Sequence, residues 1–150
     1  MFIKFLIKIL LIFIVIVHSA SISSKETVSS TGVYDENNPF AKIIAKKLDA
    51  RIVYENEHSL AFHDIAPKAP VHVLVIPKGK YRSMVDFSKN ASDAEIVSLV
   101  RALGKTAKIM NVSESGFRLI ANAGHDANQS VPHLHFHIIG GAKLGSSVLK

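Results

Sequence analysis

The sequence contains no cysteine and no tryptophan in its 150 residues. The absence of cysteine excludes disulfide scaffolds, cysteine-based zinc sites and thiol nucleophiles. Charged residues make up only 20% of the chain, whereas apolar residues make up 48%. This length and composition leave room for one domain of ordinary size with a real hydrophobic core, and they do not describe a disordered chain.

Positive charge exceeds negative charge only modestly. The formal net charge is +6, and removal of residues 1–19, which contain Lys4 and Lys8, lowers it by two, to +4. A basic chain can contact nucleic acid or an anionic membrane. Because no aromatic-rich basic motif accompanies the charge, we expect no specific nucleic-acid recognition.

Residues 1–20 form an apolar leader that we exclude from the fold. Lys4 and Lys8 precede an uninterrupted apolar run from Ile9 to Val17, and small residues follow it. This arrangement is typical of a secretory signal peptide cleaved near Ser19 or Ala20, because the run is short for a membrane-spanning helix. An uncleaved membrane anchor and a misplaced start codon are the alternatives.

Residues 21–37 are rich in Ser and Thr and have almost no apolar periodicity. This composition predicts a flexible linker, so we expect the domain to cover residues 38–150. Within it, apolar spacing after Asn38-Pro39 predicts a helix over 39–48, and the Ser92–Glu95 capping box begins a helix over 92–111. Five strands are predicted at 51–54, 59–63, 71–76, 117–122 and 132–139. This order indicates an α+β domain with one mainly antiparallel sheet of five strands and two helices.

The last predicted strand carries three histidines, His133, His135 and His137, in the segment HLHFHII. Because side chains alternate faces along a strand, all three project from one face, while Leu134, Phe136 and Ile138 project from the other. Imidazole serves as an acid–base group, a nucleophile or a metal ligand. Three rings on one face beside a loop of Ser, Asn and Gln side chains favour a phosphate-handling site.

A metal site is the alternative use of these histidines. The Cα atoms of His133 and His137 are expected to lie roughly 13 Å apart in a straight strand, so all three rings cannot readily meet at one ion. A neighbouring pair could do so with a third ligand, such as His72 or Asp64. A hydrogen-bonded histidine ladder without chemistry is a further alternative.

The chain resembles the histidine triad (HIT) family over residues 38–142. The segments that carry the resemblance are NPFAKII, LAFHDIAPKAPVHVLVIPK, FRLIANAG and QSVPHLHFHIIGG. Gly140-Gly141 and His137 favour the branch of histidine triad nucleotide-binding (HINT) proteins. The resemblance implies a HIT-like domain, a homodimer formed through the helix at 92–111 and the strand near 117–122, and a family that is usually cytoplasmic. The leader, where present, instead implies export or anchoring.

The resemblance also implies a nucleoside phosphoramidase or related nucleotidyl hydrolase that needs no metal or cofactor. His135 would be the nucleophile that forms a nucleotidyl-histidine intermediate. His137 would bond the phosphate, His133 would hold the array, His72 would fix tautomers and Ser130 would assist the leaving group. The implied purine-nucleotide contacts are Phe40, Ile43, Phe62, His63, Asp64, Ile65, Asn122, Asn128 and Gln129.

The loop before the histidine strand departs from the family pattern. Ala127-Asn128 stands where relatives usually carry glycines, and there the family implies a backbone carbonyl that orients the nucleophilic ring. An isolated Asp64 is also typical of a turn residue that caps loop backbone. Two other functions remain as alternatives: a nucleotide-binding module without catalysis, and a metal-binding exported protein.

Overall fold

A single antiparallel sheet organises the protein, for which a computed structural model describes residues 28–146. The strands are β1 (Ile52–Glu55), β2 (Ser59–His63), β3 (Val71–Pro77), β4 (Phe117–Ile120) and β5 (Phe136–Gly140). They follow the spatial order β1-β2-β3-β5-β4, and every neighbouring pair is antiparallel. The helices are α1 (Pro39–Ile44), α2 (Met84–Asn90) and α3 (Asp93–Ile109).

The strand register separates the side chains into two faces. Val73 of β3 pairs with Ile138 of β5, and Val75 pairs with Ala61 of β2. These residues pack with Leu99 and other apolar residues of α3, so we call this side the helix face. On the opposite side, Phe40 of α1 packs with strand residues of the second apolar cluster, Leu60, Phe62, Leu74 and Ile76. His137 pairs with Leu74 and lies on this second side, which we call the histidine face.

The sheet of five antiparallel strands confirms the predicted fold class, but the predicted number of helices is wrong. The additional helix, α2, begins after Ser83, whose hydroxyl accepts from Val85 N–H. The Asp86 carboxylate accepts a hydrogen bond from Ser83 N–H, which completes a capping box. The spacing Ser-x-x-Asp at 83–86 was the sequence signal for this helix.

Helix α1 ends at Ile44, four residues before the predicted end. Lys46 adopts a positive φ of 57°, and its N–H bonds to Ile43 O while Lys47 N–H bonds to Lys42 O. This pair of bonds closes the helix as glycine commonly does. Because a lysine occupies this position, no glycine marks the end of the helix in the sequence.

The regular part of β5 begins at Phe136 rather than at residue 132. The next partners on β3 would include Pro77, which has no N–H to donate to the ladder. Leu134 N–H instead bonds to Tyr81 O, outside the sheet. His133 and His135 therefore precede the regular strand, although Leu134 and Phe136 still pack on the helix face. The fourth strand likewise ends at Ile120, before the predicted residue 122.

Residues 28–37, which fall within the predicted linker, pack against the domain without forming a helix or strand. The Arg82 guanidinium donates to Ser29 O and Val33 O, and Ser83 Oγ donates to Ser30 O. The packed unit therefore starts before Asn38. The predicted leader at 1–20 lies outside the described residues, and within residues 28–146 no helix is long and apolar enough to cross a membrane.

Candidate active site

A cavity of about 830 Å³ opens on the histidine face between the sheet, α1 and the loop that follows β2. It brings together residues that are far apart in the sequence. The predicted site residues that line it are Phe40, Ile43, Phe62, His63, Asp64, Ile65, Ser130, His135 and His137. The walls of the cavity are mostly apolar, and we call the part where His135, His137 and Asp64 lie close together its polar end.

His135 is buried at the polar end, and one of its two ring nitrogens is committed to the backbone. Its Nδ1 lies 2.7 Å from His133 O. A carbonyl only accepts, so Nδ1 carries the hydrogen and Nε2 of the neutral ring holds a lone pair. Within residues 28–146, Nε2 has no hydrogen-bond partner, and the ring lines the cavity. A neutral imidazole held in this tautomer is suited to nucleophilic attack.

His137 is fixed by a chain of hydrogen bonds that starts at the backbone. Lys68 N–H donates to His72 Nδ1 over 3.1 Å, so His72 carries its hydrogen on Nε2. That Nε2–H donates to His137 Nδ1 over 2.9 Å. In the neutral His137 ring the hydrogen is consequently on Nε2, which makes this nitrogen a donor. The tautomer role predicted for His72 fits this arrangement.

His133 lies behind the cavity and is fully buried. Its Nε2 donates to Pro77 O over 2.9 Å, and its Nδ1 is hydrogen-bonded to the Tyr34 hydroxyl. Phe40 contacts the His133 and His135 rings edge-on, with centroid distances of 6.1 and 5.2 Å. His133 therefore supports the neighbouring ring and does not line the cavity.

Burial keeps the histidines of the site neutral at pH 7. Desolvation lowers the pKa of His133 to about 4 and, together with the neighbouring imidazoles, lowers the pKa of His137 to about 4. Burial also lowers the pKa of His135 and of His72, although Asp64 partly opposes it. The lone pair on His135 is consequently available near neutral pH.

Asp64 combines a turn role with a place in the cavity wall. Its Oδ1 accepts from Ala66 N–H over 2.7 Å, as predicted for a residue that caps loop backbone. Its Oδ2 lies 3.4 Å from His72 Nε2. The same carboxylate is therefore near both the histidine chain and the cavity.

Asp64, His72 and His137 are also close enough to hold a metal ion, since one potential ligand atom from each lies within 4.8 Å of the others. However, Lys68 N–H occupies the Nδ1 lone pair of His72, so His72 Nε2 carries a hydrogen. A metal ligand must offer a lone pair at the coordinating atom. The hydrogen-bond chain accounts for these atoms better than a metal centre does.

Three predicted nucleotide contacts lie outside the cavity wall. The Gln129 amide is buried and bonds to Arg82 O, Val131 O and Gly124 N–H, so neither amide hydrogen is free for a phosphate. Asn122 follows β4, and Asn128 is exposed in the loop. Asn128 has a φ of 54°, in the left-handed region that glycine adopts most readily. The predicted loop carbonyl is wrong, because His133 O orients the His135 ring.

Sequence reasoning missed several contributors to the site. Asp49 and Arg51 line the cavity. Burial lowers the pKa of His63, and the positive charge of Arg51 lowers it further. Lys68 acts through its backbone N–H and Tyr34 through its hydroxyl. A backbone donor has no signature in residue types, and Tyr34 lay in a segment predicted to be linker.

Comparison with known proteins agrees with this geometry. The family model for the HIT domain matches residues 45–144. The chain belongs to the HIT family. An uncharacterized HIT-like protein from Azospirillum brasilense is 51% identical over 117 residues, which cover 78% of this chain and 96% of the relative. A HIT-like protein of Rickettsia prowazekii is 47% identical over 112 residues, or 75% of this chain and 93% of the relative.

Solved structures show the same fold for this HIT protein. A histidine triad protein from Clostridium difficile has a TM-score of 0.68 and 39% identity, and the match covers 77% of this chain and all of that chain. A HIT family hydrolase from Clostridium thermocellum has the same TM-score and identity, covering 77% and 99% of the two chains. The neighbours support a nucleotide hydrolase or nucleotide-binding role of the HIT type.

Proposed function

We propose that this protein is a HINT-like hydrolase of purine nucleoside phosphoramidates that acts through a nucleotidyl-histidine intermediate. The observation that carries the proposal is the state of His135. Its Nδ1–H is held by His133 O, and its Nε2 lone pair is unpartnered among the described residues at the polar end of the cavity. A fixed, neutral, unpaired imidazole nitrogen is what an attacking group requires.

The reaction proceeds in two displacements at the α-phosphorus. In the first, His135 Nε2 forms a bond to phosphorus, the P–N bond to the amine breaks, and the leaving nitrogen takes a proton that the Ser130 hydroxyl relays from water. In the second, water attacks phosphorus, its proton neutralises the hydroxide left by the first step, the bond to Nε2 breaks, and the nucleoside monophosphate leaves. One water is consumed and His135 returns to its neutral state. Dividing one displacement into two lowers the barrier of each step.

Two further side chains assist at the polar end. His137 donates its Nε2–H to an equatorial phosphate oxygen, because the His72 chain holds the hydrogen on that nitrogen. The Asp64 carboxylate lines the cavity and accepts from the ribose hydroxyls. The His137 donor stabilises the charge that develops on the phosphate, so the proposed mechanism requires no metal.

The apolar walls accommodate the purine. Phe40, Phe62 and Ile43 line the cavity, with Phe40 and Phe62 in edge contact at 5.5 Å. Ile65 also lines it but is fully exposed, so a bound planar base would cover this side chain. Burial of that apolar surface favours a nucleotide over a simple phosphate ester.

We also propose that the protein acts as a homodimer. Strand β4 is an edge of the sheet, and its Leu119 is 44% exposed on the helix face. On α3, Val97 and Val100 are exposed at 45% and 62%. Light scattering of the purified protein should give twice the chain mass, and Leu119→Asp should shift it towards the monomer. A wild-type monomer at micromolar concentration would contradict this proposal.

Turnover of an adenosine 5′-phosphoramidate tests the hydrolase. We expect the wild type to release AMP and His135→Ala to lose at least about 1,000-fold in kcat. His58→Gln is the matched control, because His58 lies in the turn between β1 and β2 and does not line the cavity. Acid-free quenching followed by mass spectrometry should detect the nucleotidyl adduct on wild type and not on His135→Ala.

Two results would contradict the hydrolase. Equal slow rates in wild type and His135→Ala would remove His135 from its role. Binding of AMP without turnover of any phosphoramidate would favour the nucleotide-binding module instead.

A further inference from the structure

The segment of residues 29–36, which we call the strap, reaches the histidine array from outside the cavity. Tyr34 is the residue that makes contact. Its hydroxyl is hydrogen-bonded to His133 Nδ1, and the two rings meet edge-on at a centroid distance of 5.6 Å. The strap thus touches the one triad histidine that does not line the cavity.

The direction of this hydrogen bond follows from the other side of the His133 ring. Pro77 O is a carbonyl and only accepts, so His133 Nε2 carries the hydrogen. In a neutral ring Nδ1 is then an acceptor, and Tyr34 donates. Burial raises the pKa of Tyr34, so its hydroxyl keeps the hydrogen that it donates. Both nitrogens of the buried His133 ring are therefore satisfied, one by the strap.

His133 in turn carries the acceptor that orients the nucleophile. Its backbone carbonyl accepts from His135 Nδ1 over 2.7 Å. Fixing the His133 ring at both nitrogens limits rotation of this residue and so fixes the direction of its carbonyl. The Tyr34 hydroxyl is therefore linked to the His135 ring through a single residue, His133.

The strap is held in place by Arg82 and Ser83, the two residues just before α2. Arg82 Nη2 and Nε donate to Ser29 O over 3.0 and 3.3 Å, and Nη1 donates to Val33 O. Ser83 Oγ donates to Ser30 O over 2.8 Å. The Arg82 carbonyl also accepts from Gln129, which adjoins Ser130. Arg82 therefore joins the strap to the loop of the active site.

We propose that Tyr34 is a positioning residue for the reaction, held by the Arg82 clamp, and that it fixes His133 so that His135 is aimed for attack. This inference rests on the proposed hydrolase function. It assigns a role to the strap that neither substrate binding nor the folding of the sheet requires. Since Tyr34 does not line the cavity, its loss should slow the chemical step and leave substrate affinity unchanged.

The primary test is Tyr34→Phe in the full chain, with Tyr54→Phe as the matched control. Both variants remove one hydroxyl, but the Tyr54 hydroxyl accepts from Asn56 at the far edge strand β1. We expect Tyr34→Phe to lower kcat roughly tenfold, as the loss of one buried hydrogen bond would, with KM within about twofold. Tyr54→Phe should leave both constants unchanged.

Nitrogen-15 NMR of the histidine rings supplies a readout that does not depend on turnover. In the wild type, His133 should show a protonated Nε2 and a hydrogen-bonded, unprotonated Nδ1. Tyr34→Phe should move the Nδ1 resonance of His133 and broaden that of His135, whereas Tyr54→Phe should move neither. If the wild type hydrolyses no phosphoramidate, the proposed function fails, and this measurement still decides whether Tyr34 holds His133.

A second variant, Arg82→Met, tests the clamp while keeping the Arg82 carbonyl that Gln129 uses. We expect it to lower kcat in the same direction, and to add little in the Tyr34→Phe background, because both changes act through one hydroxyl. Should Tyr34→Phe fail to fold, Arg82→Met alone provides the kcat and NMR measurements. An unchanged kcat and His133 resonance, additive effects in the double variant, or an equal loss in Tyr54→Phe would overturn the inference.

Discussion

The two faces of the sheet use the same strands in opposite ways. On the helix face, Val73, Val75 and Ile138 are fully buried and pack with apolar residues of α3 and the adjacent strands. On the histidine face, the buried residues beside the cavity include His133 and His135, whose rings carry polar nitrogen atoms. Adjacent residues of one segment therefore have different surroundings, since Leu134 lies in the apolar core and His135 lines the cavity.

The comparison shows why the histidine face can carry an active site. Apolar burial on the helix face is favourable on its own, whereas a buried imidazole is tolerated only when its polar atoms have partners. Backbone groups bond to one nitrogen of three rings: Pro77 O to His133, His133 O to His135 and Lys68 N–H to His72. These bonds set the tautomers of the three rings, His72 in turn sets that of His137, and His135 Nε2 is left facing the cavity.

The largest expected difference between the faces is in packing. Ile138→Ala removes a fully buried side chain from the helix face and should lower the free energy of unfolding by about 3–4 kcal/mol. Ile139→Ala is the matched control, since Ile139 pairs with His72 on the histidine face and is only half-buried. Urea denaturation should show a smaller loss for Ile139→Ala. Equal losses would break the distinction between the faces.

The second difference appears in acid. The histidines of the site have lowered pKa values in the folded protein, so the unfolded chain takes up protons first as pH falls below about 6.5. Each such histidine should lower the free energy of unfolding by about 1.4 kcal/mol per pH unit until its folded pKa is reached. We expect nearly the full slope from buried His133 and less from half-buried His137.

Denaturation between pH 6.5 and 5 measures this slope while carboxylates stay ionised. Replacement of His133 by Gln should reduce the slope by about 1.4 kcal/mol per pH unit, because it removes one buried neutral imidazole. A stability that does not change over this range would show that the rings are charged in the folded protein.

The smallest expected effect lies in the core of the helix face. Thr106 is fully buried in α3, and its Oγ1 is the only buried side-chain polar atom of residues 28–146 without a hydrogen-bond partner. Thr106→Val keeps the shape and should raise the free energy of unfolding by about 1 kcal/mol. Thr106→Ser keeps the hydroxyl, loses a methyl group and should lower it. A lower free energy of unfolding for Thr106→Val would mean that the hydroxyl has a water partner.

Much of the sheet could be predicted from the sequence, because its strands alternate or are continuously apolar. The second strand was predicted with its observed bounds, and the Ser92–Glu95 capping box marked the start of α3. Helix ends were less predictable, since Lys46 in a positive-φ conformation closes α1 without a glycine. The strap was missed because single hydrogen bonds, not apolar periodicity, attach residues 29–34 to the domain.

The sequence by itself determined which side chains share a face, because HLHFHII alternates polar and apolar residues with the period of a strand. It also determined the family. Only the tertiary structure decided the tautomer of each histidine ring, because the tautomers depend on Pro77 O, Lys68 N–H and the Tyr34 hydroxyl. Folding brings these groups to the rings from distant parts of the chain, and a backbone donor or acceptor leaves no trace in residue type.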